Sequence, residues 1–297
     1  MNKITGSISV EHVHDILESM YECRQEMVPC FIGAPGIGKT ASLYQFAKEK
    51  GVKVVTFILS NTVPSEVSGI RMPDQESKRM EVFDDMRMAS LEDGDILFFD
   101  EFLEASPMLW SACLTLIQDR VMASGRKLPD VFIVAASSPV ASAGIIPASV
   151  RNRFQFILTR FDFDYWSRWF ENKYGIQPST EWMNTIEEDS DQYNILTPRE
   201  ITKLYEWMLS DKHREIQRLV IEESFGVRTW RLLYKMIPKS DAREQIKSTL
   251  GKLNLEIPES LEAMSYQDIL EALSRHPQWD EIQEALAQVE YEEEESV

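Results

Sequence analysis

Short apolar runs alternate with amphipathic stretches along the first 160 residues of the chain. Four of the runs predict buried strands, at residues 28–33, 52–59, 96–99 and 131–136. Between them, apolar residues recur every three or four positions, which is the period of a helix with one buried face. These helical stretches cover residues 10–26, 39–49 and 107–118. Alternating strands and helices predict an α/β fold with three layers, α/β/α, around a central sheet.

Two polar, turn-rich segments interrupt this alternation. Residues 64–86 contain a short strand-like stretch and predict an insertion that forms a hairpin on the surface of the domain. An ordinary connecting loop is the alternative for this segment. Residues 120–129 have a hairpin signature around Ser124 and Gly125.

The pattern changes near residue 161, after which it predicts only helices. An aromatic-rich stretch opens this part, and we expect helices at 161–174, 179–188, 198–210, 213–224 and 227–236. Further amphipathic stretches lie at 242–252 and 266–289, before a run of glutamates that predicts a solvated tail. We therefore expect an α/β domain over 1–160, a helical domain over 161–237 and a helical C-terminal extension over 238–297.

Charge and composition narrow the classes of function. The chain carries 49 acidic and 31 basic residues, a net charge of −18, which disfavours a role in coating nucleic acid. A basic loop could still exist locally, because net charge is an average. Three irregularly spaced cysteines indicate a reducing compartment. Without a signal-peptide pattern or an apolar run of about 18 residues, the sequence predicts a cytoplasmic protein with no membrane span.

The first predicted strand ends in a glycine-rich stretch that fits a phosphate-binding loop, G-x-x-x-x-G-K-[ST]. Glycines let the backbone amides curl around an anion, a lysine reaches the β and γ phosphates, and a Thr hydroxyl can ligate Mg²⁺. A plain Gly/Pro turn is the alternative, but the flanking strand and helix patterns argue against it. The expected phosphate-binding residues are Gly33, Ala34, Pro35, Gly36, Ile37, Gly38, Lys39 and Thr40.

A second candidate feature is the pair of carboxylates that ends the third predicted strand. Asp100 can complete the shell of a Mg²⁺ ion with Thr40, and Glu101 can orient and deprotonate an attacking water. Such a pair is weak evidence alone, because turns are rich in Asp and Glu. It gains weight because Asp100 follows Lys39 by 61 residues.

In their order, these motifs resemble AAA+ ATPases, and within that superfamily the MoxR-like and dynein-related group. After the loop and the acidic strand end come a polar strand end, SSP at 137–139, and the segment IPASVRNRF at 146–154. Residues 64–69 resemble the segment that introduces the helix-2 insertion of this group. The resemblance covers about residues 9–235 and implies an AAA+ nucleotide-binding domain followed by a helical lid.

The resemblance also implies roles for single residues. Ser138 lies at the sensor-1 position, where the family usually has asparagine. Arg153 matches the arginine finger that serves a neighbouring subunit; Arg151 is the second candidate, and a surface arginine in a salt bridge is the alternative for either. Arg199 aligns with the sensor-2 arginine of the lid. A further departure is Leu103-Glu104, where the family has asparagine and arginine.

Taken together, the resemblance implies Mg²⁺-dependent ATP hydrolysis that remodels a partner protein. It further implies a homo-oligomeric ring, expected to be a hexamer, that acts on a protein client or adaptor. One alternative is a nucleic-acid motor or helicase loader on the same core, for which Arg71, Lys78 and Arg79 could line a pore loop. Another is a nucleotide-binding scaffold that does not hydrolyse ATP, which the presence of both Asp100 and Glu101 disfavours.

Overall fold

The computed structural model describes residues 6–76, 78–139, 146–188, 196–209 and 214–237. The helices predicted at 242–252 and 266–289, and the acidic tail after them, lie outside these ranges.

Six strands form the central sheet, and every neighbouring pair in it is parallel. They are β1 (Ile8–Ser9), β2 (Pro29–Ile32), β3 (Val54–Ile58), β6 (Ile96–Asp100), β7 (Phe132–Ser137) and β8 (Gln155–Arg160). Their order in the sheet is β1-β8-β2-β7-β6-β3. Because all strands point the same way, the carboxyl ends of β2, β7 and β6 lie along one edge, with β7 between the other two.

Successive residues of the central strands pack on opposite faces of the sheet. In β6, Phe99 belongs to one buried cluster and Phe98 to another. Helices α1 (Val13–Tyr21) and α2 (Lys39–Lys50) cover the Phe98 side, where Phe46 is buried. Helix α5 (Pro107–Asp119) covers the Phe99 side, where Cys113 is buried. The three-layer α/β/α fold predicted from the sequence is therefore confirmed.

The two turn-rich segments both contain antiparallel pairing. Between β3 and β6 lie α3 (Pro64–Ser68), β4 (Ile70–Asp74), β5 (Arg79–Phe83) and α4 (Met86–Ala89). Strands β4 and β5 form a two-stranded hairpin, and Val121 bridges Lys127 in the second segment. The two hairpins touch, because the backbone amide and hydroxyl of Ser124 both donate hydrogen bonds to the Asp84 carboxylate.

Helices make up the rest of the described chain. They are α6 (Ala148–Arg151), α7 (Phe163–Tyr174), α8 (Glu181–Glu188), α9 (Pro198–Met208), α10 (Arg214–Phe225) and α11 (Val227–Met236). Contacts divide the chain into two units, Met1–Leu204 and Tyr205–Val297. In the first unit, Trp166 and Phe170 of the aromatic-rich stretch are buried. None of the described helices is long and apolar enough to span a bilayer. The predicted boundaries at 160/161 and 237/238 stay predictions.

Candidate functional site

The phosphate loop connects the carboxyl end of β2 to the first turn of α2. Gly36 and Gly38 have φ angles of +77° and +113°, a backbone conformation that favours glycine. Gly33 is needed for a different reason, since a Cβ atom there would lie 2.3 Å from the carbonyl oxygen of Thr159 in β8. Helix α2 begins at Lys39, so its free amide groups and the positive end of its dipole face the loop.

Lys39 is almost buried, with only 9% of its surface exposed. Its ammonium group donates hydrogen bonds to the carbonyl oxygens of Gly33 and Ala34, at 2.6 and 2.9 Å. Burial lowers the pKa of this ammonium to about 8; the Asp100 carboxylate opposes the shift, and the Arg199 guanidinium adds to it. The lysine is thus held inside its own loop, next to the place where an anion would relieve the cost of burying its charge.

Thr40 and Asp100 come together although they are 60 positions apart in sequence. The Thr40 hydroxyl donates to Oδ2 of Asp100 at 3.3 Å, and Oδ1 of Asp100 accepts from the Glu101 amide at 3.0 Å. Burial raises the pKa of the Asp100 carboxyl above its ordinary value, so a nearby cation would stabilise the ionised form. A hydroxyl and a carboxylate are both hard oxygen ligands, and the pair therefore fits Mg²⁺.

No group of three or more His, Cys, Asp or Glu residues within the described ranges could hold a metal ion by itself. Magnesium is usually bound by one or two protein ligands together with the phosphates of the nucleotide, so Thr40 and Asp100 suffice for that kind of site.

Glu101 follows β6 in a left-handed backbone conformation, with φ +55° and ψ +38°. Its carboxylate accepts a hydrogen bond from the hydroxyl of Ser60, which lies just beyond the end of β3. The two residues meet because β3 and β6 are parallel neighbours, with Ile58 opposite Asp100. The expected general base is therefore held by a hydroxyl donor from the adjacent strand.

The end of β7 provides two serines with different surroundings. The Ser137 hydroxyl is buried and accepts a hydrogen bond from the Leu103 amide at 3.2 Å, while its carbonyl accepts from the Gly33 amide. Ser138 comes next and is half-buried at the same edge of the sheet. Leu103 itself is part of the buried core, which gives a packing reason for its departure from the family pattern.

Arg199 lies near the phosphate loop, at the start of α9. A Cβ atom added to Gly36 would come within 3.3 Å of the Arg199 Cβ and 2.6 Å of the Thr197 hydroxyl oxygen. Thr197 caps the helix by accepting a hydrogen bond from the Glu200 amide at 3.2 Å. The start of α9 therefore packs directly on the loop, and Arg199 is close enough to act electrostatically on Lys39.

Arg153 has polar contacts elsewhere in the domain. Its guanidinium donates to the Ser149 carbonyl at 2.7 Å and, through Nε, to the Gln118 side chain at 3.0 Å. Arg151 is exposed and makes no hydrogen bond or ion pair within the part of the chain that the structure describes. Neither arginine contacts the phosphate loop of its own chain, in contrast to Arg199.

One family of known proteins matches part of this chain. Residues 29–154 match the family described as the AAA domain of the dynein-related subfamily. This segment therefore resembles the AAA domain of the dynein-related subfamily. No curated protein matches the chain. The match supports an ATP-driven activity, since AAA domains generally bind ATP with Mg²⁺ and assemble into oligomeric rings.

Solved structures that align with this chain share little sequence with it. A point mutant of Thermotoga maritima RuvB is 17% identical, with a TM-score of 0.47 over 89% of this chain and 88% of that chain. NtrX from Brucella abortus is 14% identical, with a TM-score of 0.45 over 93% of this chain and 68% of that one.

The fold gathers most of the residues expected from the sequence along one edge of the central sheet. The loop residues Gly33 to Thr40 lie there with Asp100, Glu101, Ser138 and Arg199, whereas Arg153 and Arg151 lie near α6. Sequence reasoning missed the contact of Ser60 with Glu101 and that of Thr197 with the phosphate loop. Thr197 had a visible signal, a Thr-Pro pair at a helix start; Ser60 had none, because its role depends on which strands are neighbours.

Proposed function

We propose that this chain is a Mg²⁺-dependent ATPase that remodels a partner protein as a subunit of a MoxR-like ring. The observation that carries the proposal is the meeting of Lys39, Thr40, Asp100 and Glu101 at one edge of the sheet. A phosphate cradle, two oxygen ligands and a carboxylate base are the parts that phosphoryl transfer to water requires. The match to the AAA family supports assembly of several copies into a ring, and we expect this ring to be a hexamer.

Within this site, each side chain has a defined task. Lys39 exchanges the carbonyl oxygens of Gly33 and Ala34 for the β and γ phosphates. Thr40 and Asp100 would hold Mg²⁺, which neutralises charge on the phosphates when it is bound. Glu101 orients the attacking water and accepts its proton, which requires its carboxylate to turn from Ser60 toward the γ-phosphate.

Three further residues complete the proposed machinery. Ser138 offers a hydroxyl to the γ-phosphate or the water. Arg199 neutralises charge from the lid, and Arg153 does so for the nucleotide of a neighbouring subunit. In the same proposal, residues 1–160 form the nucleotide-binding domain, residues 161–237 form the lid, and residues 238–297 form a helical extension. The client is a protein, and the chain acts on it in the cytoplasm.

The central test is Glu101→Gln, which preserves shape but cannot accept a proton. We expect phosphate release to fall by at least about a hundredfold, since general-base catalysis contributes this much or more. The affinity for ATP should stay within a few-fold of wild type. Glu104→Gln is the matched control, because Glu104 is exposed three residues away and should leave both quantities unchanged. Equal turnover in Glu101→Gln and wild type would contradict the assignment.

A nucleic-acid motor on the same core is the second candidate. The β4–β5 hairpin supports it, because Arg71, Lys78 and Arg79 are all exposed there. Single-stranded DNA should then stimulate ATP turnover, with the effect lost in Arg71→Ala/Arg79→Ala. Absence of stimulation would favour the protein client. Nucleotide binding with no turnover under any condition would instead indicate a scaffold that does not hydrolyse ATP.

A further inference from the structure

Helix α10 exposes an apolar stripe. Ile216, Leu219 and Val220 are 54%, 61% and 42% exposed. Their spacing of three and four residues places them side by side on one face of the helix. A surface helix ordinarily carries charged and polar residues on its outer face, so three neighbouring exposed aliphatic residues call for a partner.

The opposite face of α10 is already used within its own unit. Gln217 and Ile221 are fully buried, and the Gln217 amide donates to the Trp207 carbonyl at 2.9 Å. Helix α11 packs along α10, and Leu233 of α11 is completely buried. The stripe is therefore a second apolar face, separate from the one that holds the helical pair together.

The sequence of this chain contains a segment that suits the stripe. Sixty residues follow Ile237, and among them Trp279, Ile282, Leu286 and Val289 recur at intervals of three and four. This spacing predicts a helix with a narrow apolar seam, the pattern of two helices that pack lengthwise. The residues between these four are mostly polar or acidic, so the seam has no competing apolar face.

The segment can reach the stripe. It follows α11 in the sequence, and α11 lies against α10. Helix α10 has 12 residues and is therefore about 18 Å long. The forty or so residues between Ile237 and Trp279 could span several times that distance even if only partly extended.

Charge favours the same pairing. Helix α11 exposes Arg231 and Lys235, which lie four residues apart and therefore form one cationic face. Five of the last eight residues of the chain are glutamates. In a chain with a net charge of −18, this cationic face is a local exception, and the acidic end lies immediately after the apolar seam.

We propose that residues 279–297 of the same chain pack on the α10–α11 pair. The seam formed by Trp279, Ile282, Leu286 and Val289 covers the stripe of Ile216, Leu219 and Val220. The glutamates that follow lie along the cationic face of α11. The partner of this surface is thus the C-terminal end of the chain itself, and the contact does not depend on the ATPase proposal.

Site-specific photo-crosslinking in the full-length chain tests the proposal. Leu219 is replaced by p-benzoylphenylalanine, and the control places the same group at Arg218, which is exposed on a different face of α10. After irradiation, we expect Leu219-position cross-links to peptides within 279–297 and none from position 218. A mixture of isotope-labelled and unlabelled protein shows whether each cross-link joins one chain or two.

A substitution in the seam provides the matched check. Leu286→Glu should reduce the cross-link yield from position 219 to the level of the position 218 control. Ala287→Glu adds the same charge on a different face of the predicted helix and should leave the yield unchanged. Cross-links between two chains would show that a second copy covers the stripe and would overturn the proposal. Cross-links to other segments, or none above the control, would overturn it equally.

Discussion

At the scale of single residues, Glu101 is held in a conformation that side chains rarely adopt. Its positive φ costs about 1–2 kcal/mol relative to a right-handed conformation, so the surroundings must stabilise it. Two contacts do so: the Glu101 amide donates to Asp100, and the carboxylate accepts from the Ser60 hydroxyl. A base that is held by a donor has to lose that hydrogen bond before it can accept a proton from water.

We therefore predict that Ser60→Ala raises basal ATP turnover. A hydrogen bond to a charged group is worth about 1.5–3 kcal/mol, so removing it could speed the step by roughly tenfold or more. The change should appear in kcat at saturating ATP, with little change in KM, because Ser60 does not line the phosphate loop. Steady-state phosphate release measures both quantities.

The control for this prediction is Ser68→Ala, which removes an exposed serine hydroxyl in α3 whose only described hydrogen bond goes to the Pro64 carbonyl. It should behave as wild type. A fall in kcat for Ser60→Ala would mean that Ser60 holds Glu101 in the productive orientation instead of restraining it.

The residue scale also shows what a sequence can and cannot predict about this site. The phosphate loop and the Asp100-Glu101 pair are local patterns, each set by a few adjacent residues. The Ser60 contact arises from the pairing of β3 with β6, in which Ile58 lies opposite Asp100. Strand pairing is a property of the whole sheet, and nothing in the residues around Ser60 indicates its neighbour.

At the scale of elements, the phosphate loop and helix α9 are in direct contact. Gly36 faces Thr197 so closely that any side chain would collide with it. The sequence predicted the loop and the helix separately, with α9 beginning at Pro198 as expected. It could not predict their contact, because residues 36 and 197 are far apart in the sequence and become neighbours only in the folded chain.

This contact predicts that Gly36→Ala is more destabilising than a positive φ alone explains. Gly51→Ala is the matched control: Gly51 has φ +70°, like the +77° of Gly36, but nothing lies within 4 Å of an added Cβ. Each substitution should cost about 1–2 kcal/mol in backbone strain. Gly36→Ala should lower the free energy of unfolding further, since its Cβ would lie 2.8 Å from the Thr197 Cβ.

The extra cost should disappear when the obstructing side chain is removed. Thr197→Gly removes that side chain and should itself cost only a few tenths of a kcal/mol, because glycine is a tolerated N-cap. In Gly36→Ala/Thr197→Gly, the loss of stability should approach that of Gly51→Ala. Urea denaturation of the four variants provides the comparison. A double variant no more stable than Gly36→Ala would show that the contact does not determine the cost.

At the scale of the whole molecule, the proposed ring depends on a residue that acts away from its own nucleotide. The structure agrees with such a role for Arg153 in one respect: its guanidinium contacts Gln118 and Ser149 and not the phosphate loop. These contacts also fix its direction, whereas Arg151 is exposed and unpaired among the described residues. The resemblance favours Arg153 as the arginine finger, whereas the exposure of Arg151 leaves it as the second candidate.

Mixed assemblies separate these two arginines. Arg153→Ala should bind ATP normally yet hydrolyse it roughly 10³-fold or more slowly, the usual contribution of an arginine finger. Lys39→Ala should not bind ATP, because it lacks the ammonium that faces the phosphates. In a mixed ring, the intact Arg153 of a Lys39→Ala subunit can act on ATP bound by a neighbouring Arg153→Ala subunit. ATP turnover of the mixture should therefore exceed the turnover of each variant alone. ATP turnover is measured against mixing ratio, and sedimentation confirms that the subunits assemble.

The same mixture made with Arg151→Ala decides between the candidates. If Arg153 is the finger, Arg151→Ala is active alone and needs no rescue. If only Arg151→Ala is inactive and rescued, the role belongs to Arg151, and the contacts of Arg153 with Gln118 and Ser149 are structural. Assembled rings in which neither variant is rescued would show that no arginine of this segment acts between subunits. In that case the next candidate is Arg199 of the same chain, whose Cβ lies close to the phosphate loop and whose charge acts on Lys39.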